Sequence, residues 1–205
     1  MKRDRLLTED ELRYVMRAID EEEGLFRPLL WVLLLTGQRR AEVAGMLWSE
    51  LHNLGRDDAY WEIPRHRTKN KHSHLVSLSP ACSRLLALPR ISDLVFTTTG
   101  ETPVSGFGKV KARLDARIDE MRQSDGFESI PAWTLHDLRR TMVTVMNEKL
   151  GIAPHVVEAV INHMSGLAKA GVAGVYNRAL YLEDRKRALS LWQEWLLGRG
   201  TIATS

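Results

Sequence analysis

One cysteine, Cys82, stands among 205 residues, so no disulfide and no paired-thiolate metal site can form within the chain. Such usage fits a reducing compartment, and a cytoplasmic location is the expectation. Long apolar runs are also missing. The longest, Leu29 to Leu35, falls far short of the roughly 20 residues that cross a bilayer. The charged start, Met1-Lys2-Arg3-Asp4-Arg5, does not read as a secretory signal. Repeats and low-complexity tracts are absent. The net charge is only +3, so composition alone does not point to nucleic acid. What is present, 44% hydrophobic and 27% charged residues, suits one globular domain with a proper core.

The local patterns are mostly helical. Thr8-Glu9-Asp10-Glu11 is a capping box, and Leu12, Val15, Met16 and Ile19 continue as a helical stripe to Asp20. Leu25 to Thr36 is apolar nearly all round and reads as a buried helix that Gly37 can end. A short third helix carries Glu42, Val43, Met46 and Leu47. Tyr60 to Ile63 and His74 to Leu78 alternate with period two and predict a small antiparallel sheet of two or three strands. Pro80 opens a short helix to about Leu88, and Asp93 to Thr97 is a short extended piece. Helices follow over Val110 to Met121, over the stripe Leu135, Leu138, Met142, Val145, Met146, over Val156 to Ile161 and over Leu182 to Leu197. The expected class is mostly α with a small antiparallel β-sheet, an α+β arrangement. Residues 1–197 form the expected domain and 198–205 a flexible tail.

Four segments carry candidate chemistry. Thr36-Gly37-Gln38-Arg39-Arg40-Ala41-Glu42 lies at a helix break, where Arg39 sits beside free helix amides and Glu42 can brace its guanidinium. Taken alone, that piece is more plainly an ordinary helix start with surface arginines. From Pro64 to His74 there are four cations, three histidines and no acid. Arg67-Thr68-Lys69-Asn70-Lys71 joins the two predicted strands, so Lys69 sits on a hairpin that can reach a phosphate; a solvated turn is the plainer alternative. His136 and Arg139 lie three apart at a helix start and share one face, opposite an apolar stripe that orients them. Finally, Asn162-His163 is followed by the small-residue spacer Ala168 to Gly174 and by Tyr176 in Gly174-Val175-Tyr176-Asn177-Arg178. A lone tyrosine is more commonly a half-buried aromatic. A linker of small residues nevertheless suits one that must move into a site. Tyr181 is a rival at the start of the last helix, where packing is the expected role. His72 and His74 could offer zinc a pair of nitrogens, but neighbouring carboxylates and cysteines are missing, so no metal site is expected.

Taken in order, Arg39, Lys69, His136-x-x-Arg139, His163 and Tyr176 resemble the Arg…Lys…His-x-x-Arg…His…Tyr signature of the tyrosine recombinases. The local strings Thr-Gly-x-Arg-x-x-Glu, Thr-Lys-Asn, His-Asp-Leu-Arg, Asn-His and Gly-Val-Tyr-Asn-Arg are similar to integrases of bacteriophages and genomic islands. The resemblance runs from about Leu6 to Leu197. Full-length integrases of this kind carry arm-binding and core-binding domains before this region, and neither is expected in this chain.

The resemblance implies a site-specific DNA recombinase acting in integration or excision of a mobile element. Tyr176 would attack the scissile phosphate and form a 3′-phosphotyrosyl link. Arg39 and Arg139 would clamp the phosphate, His163 would add a hydrogen bond, His136 would take the phenol proton and Lys69 would protonate the leaving 5′ oxygen. No cofactor is implied, since the energy of the broken bond stays in the protein–DNA link. Arg40, Arg67, Lys71 and Arg140 flank these positions and are expected to contact the DNA backbone. The implied partner is double-stranded DNA carrying a core site. A homotetramer is implied for the full synaptic complex, and the isolated domain can be monomeric. The last helix, with Leu189, Trp192 and Leu196, needs a covering surface in the same chain or a neighbour. Alternatives are a binding module of the same fold without chemistry, a type IB topoisomerase and a histidine-dependent metalloprotein.

Overall fold

Helix α1 (Glu9–Asp20) begins where the sequence places its cap. The Thr8 hydroxyl accepts from the Glu11 amide, and the Glu11 carboxylate accepts from the Thr8 amide, closing the capping box. Helix α2 (Phe26–Thr36) has little polar surface because it is the central strut, buried from Pro28 to Thr36. The computed structural model describes residues 5–163 and 181–198. Within them α2 packs against α1, α3 (Arg40–Ala44), α4 (Pro80–Leu85), α6 (Leu135–Glu148) and α8 (Leu182–Leu197). Helix α5 (Phe107–Ser124) lies along α1, and α7 (Pro154–Val160) sits between α6 and α8.

After α3 the chain makes a 3-10 turn, Trp48–Glu50, and enters a three-stranded antiparallel sheet. Its strands are β1 (Leu51–His52), β2 (Tyr60–Ile63) and β3 (His74–Ser77), in that spatial order. Trp61 pairs with Val76 and Ile63 with His74, so one face of the hairpin, including His74, turns into the core. The expected third helix therefore stops earlier than Leu47, and the residues after it serve the turn and β1. The expected extended piece is real but makes only a bridge. Leu47 pairs with Leu94, and Val95 N–H donates to Met46 O at 2.9 Å.

Helix α8 is covered within its own chain. Leu189, Trp192 and Leu196 are buried. Trp192 Nε1 donates to Leu34 O at 2.9 Å, and Gln193 Nε2 donates to Leu35 O at 3.1 Å. These carbonyls belong to the last turn of α2, which has no helical partners for them. Of the expected tail, residues 199–205 lie outside the described residues. Among the described residues, no helix is long and apolar enough to cross a membrane.

Gly37 ends α2 in the left-handed conformation, φ 62°. A Cβ on it would lie 2.2 Å from Met142 Sδ, in the fully buried face of α6. Gly37→Ala should therefore lower stability by about 2–4 kcal/mol, combining left-handed strain with overpacking. The check is urea unfolding, where the midpoint should fall while the slope holds.

Candidate phosphate-binding site

The C-terminal end of α7 is where Arg39, Arg139 and the hairpin that bears Lys69 meet. Helix ends leave carbonyls without helical partners, and here each of three successive ones receives donors from another element. Val160 O accepts from Gln38 Nε2 and from His74 Nε2, both at 3.0 Å. Ile161 O accepts from Arg139 Nη2. Asn162 O receives a longer contact from Arg39 Nη2, at 3.4 Å. The two guanidinium groups thus reach adjacent carbonyls on one strand of backbone, from α6 and from the start of α3. Arg139 Nη1 also donates to Gly37 O at 2.6 Å, tying it to the end of α2.

Local sequence explains each placement. Arg39 is the N-cap residue of α3, and Glu42 three positions on serves it twice. One carboxylate oxygen accepts from the Arg39 amide at 3.1 Å and the other from Nη1 at 3.0 Å. Arg139 leaves the inward face of α6 and is only 8% exposed. Burial, together with the nearby Arg39 cation, pulls its pKa down to about 10, and it remains charged at neutral pH. A guanidinium has five N–H donors, and the described contacts occupy two on each arginine. Among the described residues, donors therefore remain for an anion.

His136 is the second residue of α6, whose start is held by Asp137 accepting from the Thr134 amide and hydroxyl, both at 2.8 Å. Its pKa lies below the ordinary value, because of partial burial first and then the Arg140 and Arg139 charges. A helix start also disfavours an imidazolium. His136 and Arg139 line a cleft of about 450 Å³, together with Arg40, Lys111 and Trp133. Lys111 lies over the Trp133 ring at 4.1 Å, a cation–π contact that sequence reasoning did not anticipate.

Lys69 is exposed in the turn between β2 and β3. His163 is exposed after α7, with Nδ1 3.8 Å from Glu158 Oε1. The turn and this segment touch through Asn70 Nδ2, which donates to Asn162 Oδ1 at 2.6 Å. Lys69 and His163 are therefore each one residue from the same contact. Tyr176 lies outside the described residues. Tyr181, its rival, is half-buried at the start of α8, with its ring 5.1 Å from that of His155.

The flanking cations divide. Arg40 and Lys71 are exposed, Arg40 with its guanidinium 4.9 Å from the centre of the Phe107 ring. Arg140 donates to Asp137 at 2.9 Å. Arg67, expected to face DNA, turns inward instead. Its side chain is 15% exposed, it pairs with buried Glu50, and Nη2 donates to Glu42 O at 2.7 Å. Glu50 also accepts from Trp61 Nε1 at 2.9 Å. The hairpin is thereby bolted to the helix that presents Arg39. Gly45 leaves the room, since a Cβ there would stand 3.0 Å from Arg67 Nη2. His74, weighed as a zinc ligand, is buried against Val160 O. Among the described residues no three histidines, cysteines or carboxylates gather as a metal site.

The fold defines the class: a mostly helical domain with a small sheet, bringing two arginines to one helix end beside a basic hairpin. The chain belongs to the phage integrase family, whose model matches residues 5–178. It is similar to the prophage integrase IntZ of Escherichia coli, 32% identical over 160 residues, covering 76% of this chain and 35% of that protein. Prophage integrase IntS of Escherichia coli is 26% identical over 170 residues, covering 80% of this chain and 40% of that one. The chain spans about two-fifths or less of the length of these relatives. In fold it resembles XerH site-specific recombinase bound to difH substrate, with a TM-score of 0.56, 19% identity, and 92% and 54% of the two chains covered. A lambda integrase dimer bound to a COC′ core site gives 0.53 at 18% identity, with 82% and 60% covered.

Burial drives the His74 pKa from 6.5 to about 3, with the Arg185 charge contributing, so the folded state holds it neutral while the unfolded chain protonates near 6.5. Stability from this group is complete above pH 6.5 and is lost as pH falls toward 3. Between pH 6 and 4.5 His74→Gln should lose less stability per pH unit than the parent, by up to about 1.4 kcal/mol. Unfolding curves at stepped pH test this; parallel slopes would refute it.

Proposed function

We propose that this chain is the catalytic part of a site-specific DNA recombinase that integrates or excises a mobile element. The observation that carries the reading is the meeting of Arg39 and Arg139 at the end of α7, beside the hairpin that bears Lys69. A phosphodiester repels nucleophiles because it is already anionic. Two guanidinium groups at one place offset the charge that builds on its non-bridging oxygens.

Tyr176 is the nucleophile. A phenol with a reference pKa of about 10 needs a base at neutral pH. His136, biased toward its neutral form, is suited to accept that proton. The phenolic oxygen forms a bond to phosphorus while the bond from phosphorus to the 5′ oxygen breaks. The departing oxygen takes a proton from Lys69. The products are a 3′-phosphotyrosyl link and a free 5′-hydroxyl, and reversal with a different 5′-hydroxyl joins a new strand. His163 donates to the same phosphate. Arg40, Lys71 and Arg140 contact the duplex backbone, whereas Arg67 positions the hairpin. Such a protomer works on double-stranded core-site DNA within a homotetramer, in the cytoplasm of a bacterial host.

The test is a pool of nicked duplexes with randomised sequence around the nick, incubated with the chain and resolved in SDS. A covalent protein–DNA adduct is expected. Tyr176→Phe should form none and Tyr181→Phe should retain it; the opposite pattern overturns the nucleophile assignment. Arg39→Ala should slow adduct formation by about 10²–10³-fold. The acidic limb of the rate profile should fall below the ordinary histidine value of 6.5, following the direction of the His136 shift, and should vanish in His136→Gln.

A further inference from the structure

The turn that carries Lys69 is fastened at both ends. Arg67, two residues earlier, grips Glu50 and the Glu42 carbonyl. Asn70, one residue later, makes an amide-to-amide pair with Asn162. Asn70 Nδ2 donates to Asn162 Oδ1 at 2.6 Å, and Asn162 Nδ2 reaches Asn70 Oδ1 at 3.4 Å. Between the two anchors the Thr68 hydroxyl closes the loop, accepting from the His72 amide at 3.1 Å and donating to His72 O at 2.7 Å. Asn162 has φ 49°, the left-handed conformation that glycine takes most readily and asparagine tolerates. A glycine would keep that backbone but bring no amide. Asn162 also offers its carbonyl to Arg39 and precedes His163.

We propose that Asn70 and Asn162 are positioning residues that set Lys69 against the phosphate held by Arg39, Arg139 and His163; this rests on the recombinase reading above. A lysine has a long flexible stem and must come within about 3 Å of the leaving oxygen to protonate it. Tying the adjacent residue to the end of α7 fixes the base of that stem in the frame of the phosphate ligands. A misplacement of about 1 Å can cost roughly 100-fold in rate. In this proposal the amide pair acts through Lys69 alone, so its loss should damage protonation of the leaving group and spare the attack.

Replacing the 5′ bridging oxygen of the scissile phosphate by sulfur separates these effects, because a thiolate departs without a proton. On the oxygen-bridged pool, Asn162→Gly and Asn70→Ala should each slow adduct formation by about 10–100-fold, and the double variant should be no slower than either alone. On the sulfur-bridged pool all three should match the unmodified chain, and Lys69→Ala should show the same split. Equal losses on both substrates, unchanged rates on oxygen, or multiplying losses in the double variant would each overturn the proposal. If the unmodified chain forms no adduct with either pool, the recombinase reading fails and the positioning role with it. If it does form adducts but Lys69→Ala shows no oxygen–sulfur split, the acid assignment and the role of the pair both fall while the nucleophile assignment stands.

Discussion

Three carbonyl groups without helical partners, at the end of one short helix, organise this site. Val160, Ile161 and Asn162 complete no helical turn, and the chain satisfies them with side chains from β3, from the α2–α3 turn and from α6. An α-helix C-terminus carries partial negative charge, so it attracts cations and strong donors. Arg39 and Arg139 come to rest there although they lie a hundred residues apart and repel one another. The surrounding fold serves this meeting. Helix α2 delivers Arg39 through the Gly37 turn, α6 delivers Arg139 from its buried face, and α8 caps the last carbonyls of α2.

The elements were legible wherever periodicity or capping was local. The Thr8–Glu11 box, the apolar length of α2 and the alternation of β2 and β3 follow from chain neighbours alone. The convergence of Arg39, Arg139 and the Lys69 hairpin was legible only as an ordered resemblance, since no local property of an arginine says which distant carbonyl it will reach. Arg67 shows the limit most clearly. In the sequence it is one cation in a basic loop, grouped with Lys71 among the expected DNA contacts. In the fold it is drawn inward because Glu50, itself buried by Trp61 and the 3-10 turn, needs a partner. Burying one charge compels the burial of another, and that pairing is set by tertiary structure. Asn162 is similar: a left-handed φ for asparagine was guessable at a helix end, but its Asn70 partner lies across 92 positions. Lys111 and Trp133 carried no motif at all.

The energetics of the two arginines connect the fold to the proposed chemistry. Burying the Arg139 charge, and then holding it near the like charge of Arg39, costs stability, which is visible in its lowered pKa. Glu42 offsets part of this for Arg39, and neutral carbonyls offset part for Arg139, but carbonyls supply only partial charge. Among the described residues the pair is therefore only partly compensated. In the proposed reaction a phosphodiester would relieve that repulsion, and a transition state with more charge on its oxygens would relieve it further. Binding would then grow stronger as the reaction proceeds, which is the condition for catalysis rather than mere affinity. The donors that the α7 carbonyls already orient need little rearrangement at that moment. The same logic explains why His74, close to both cations, is kept neutral by burial. A third positive charge behind the arginines would raise the cost of assembling them, and a neutral imidazole can donate to Val160 O without adding to it.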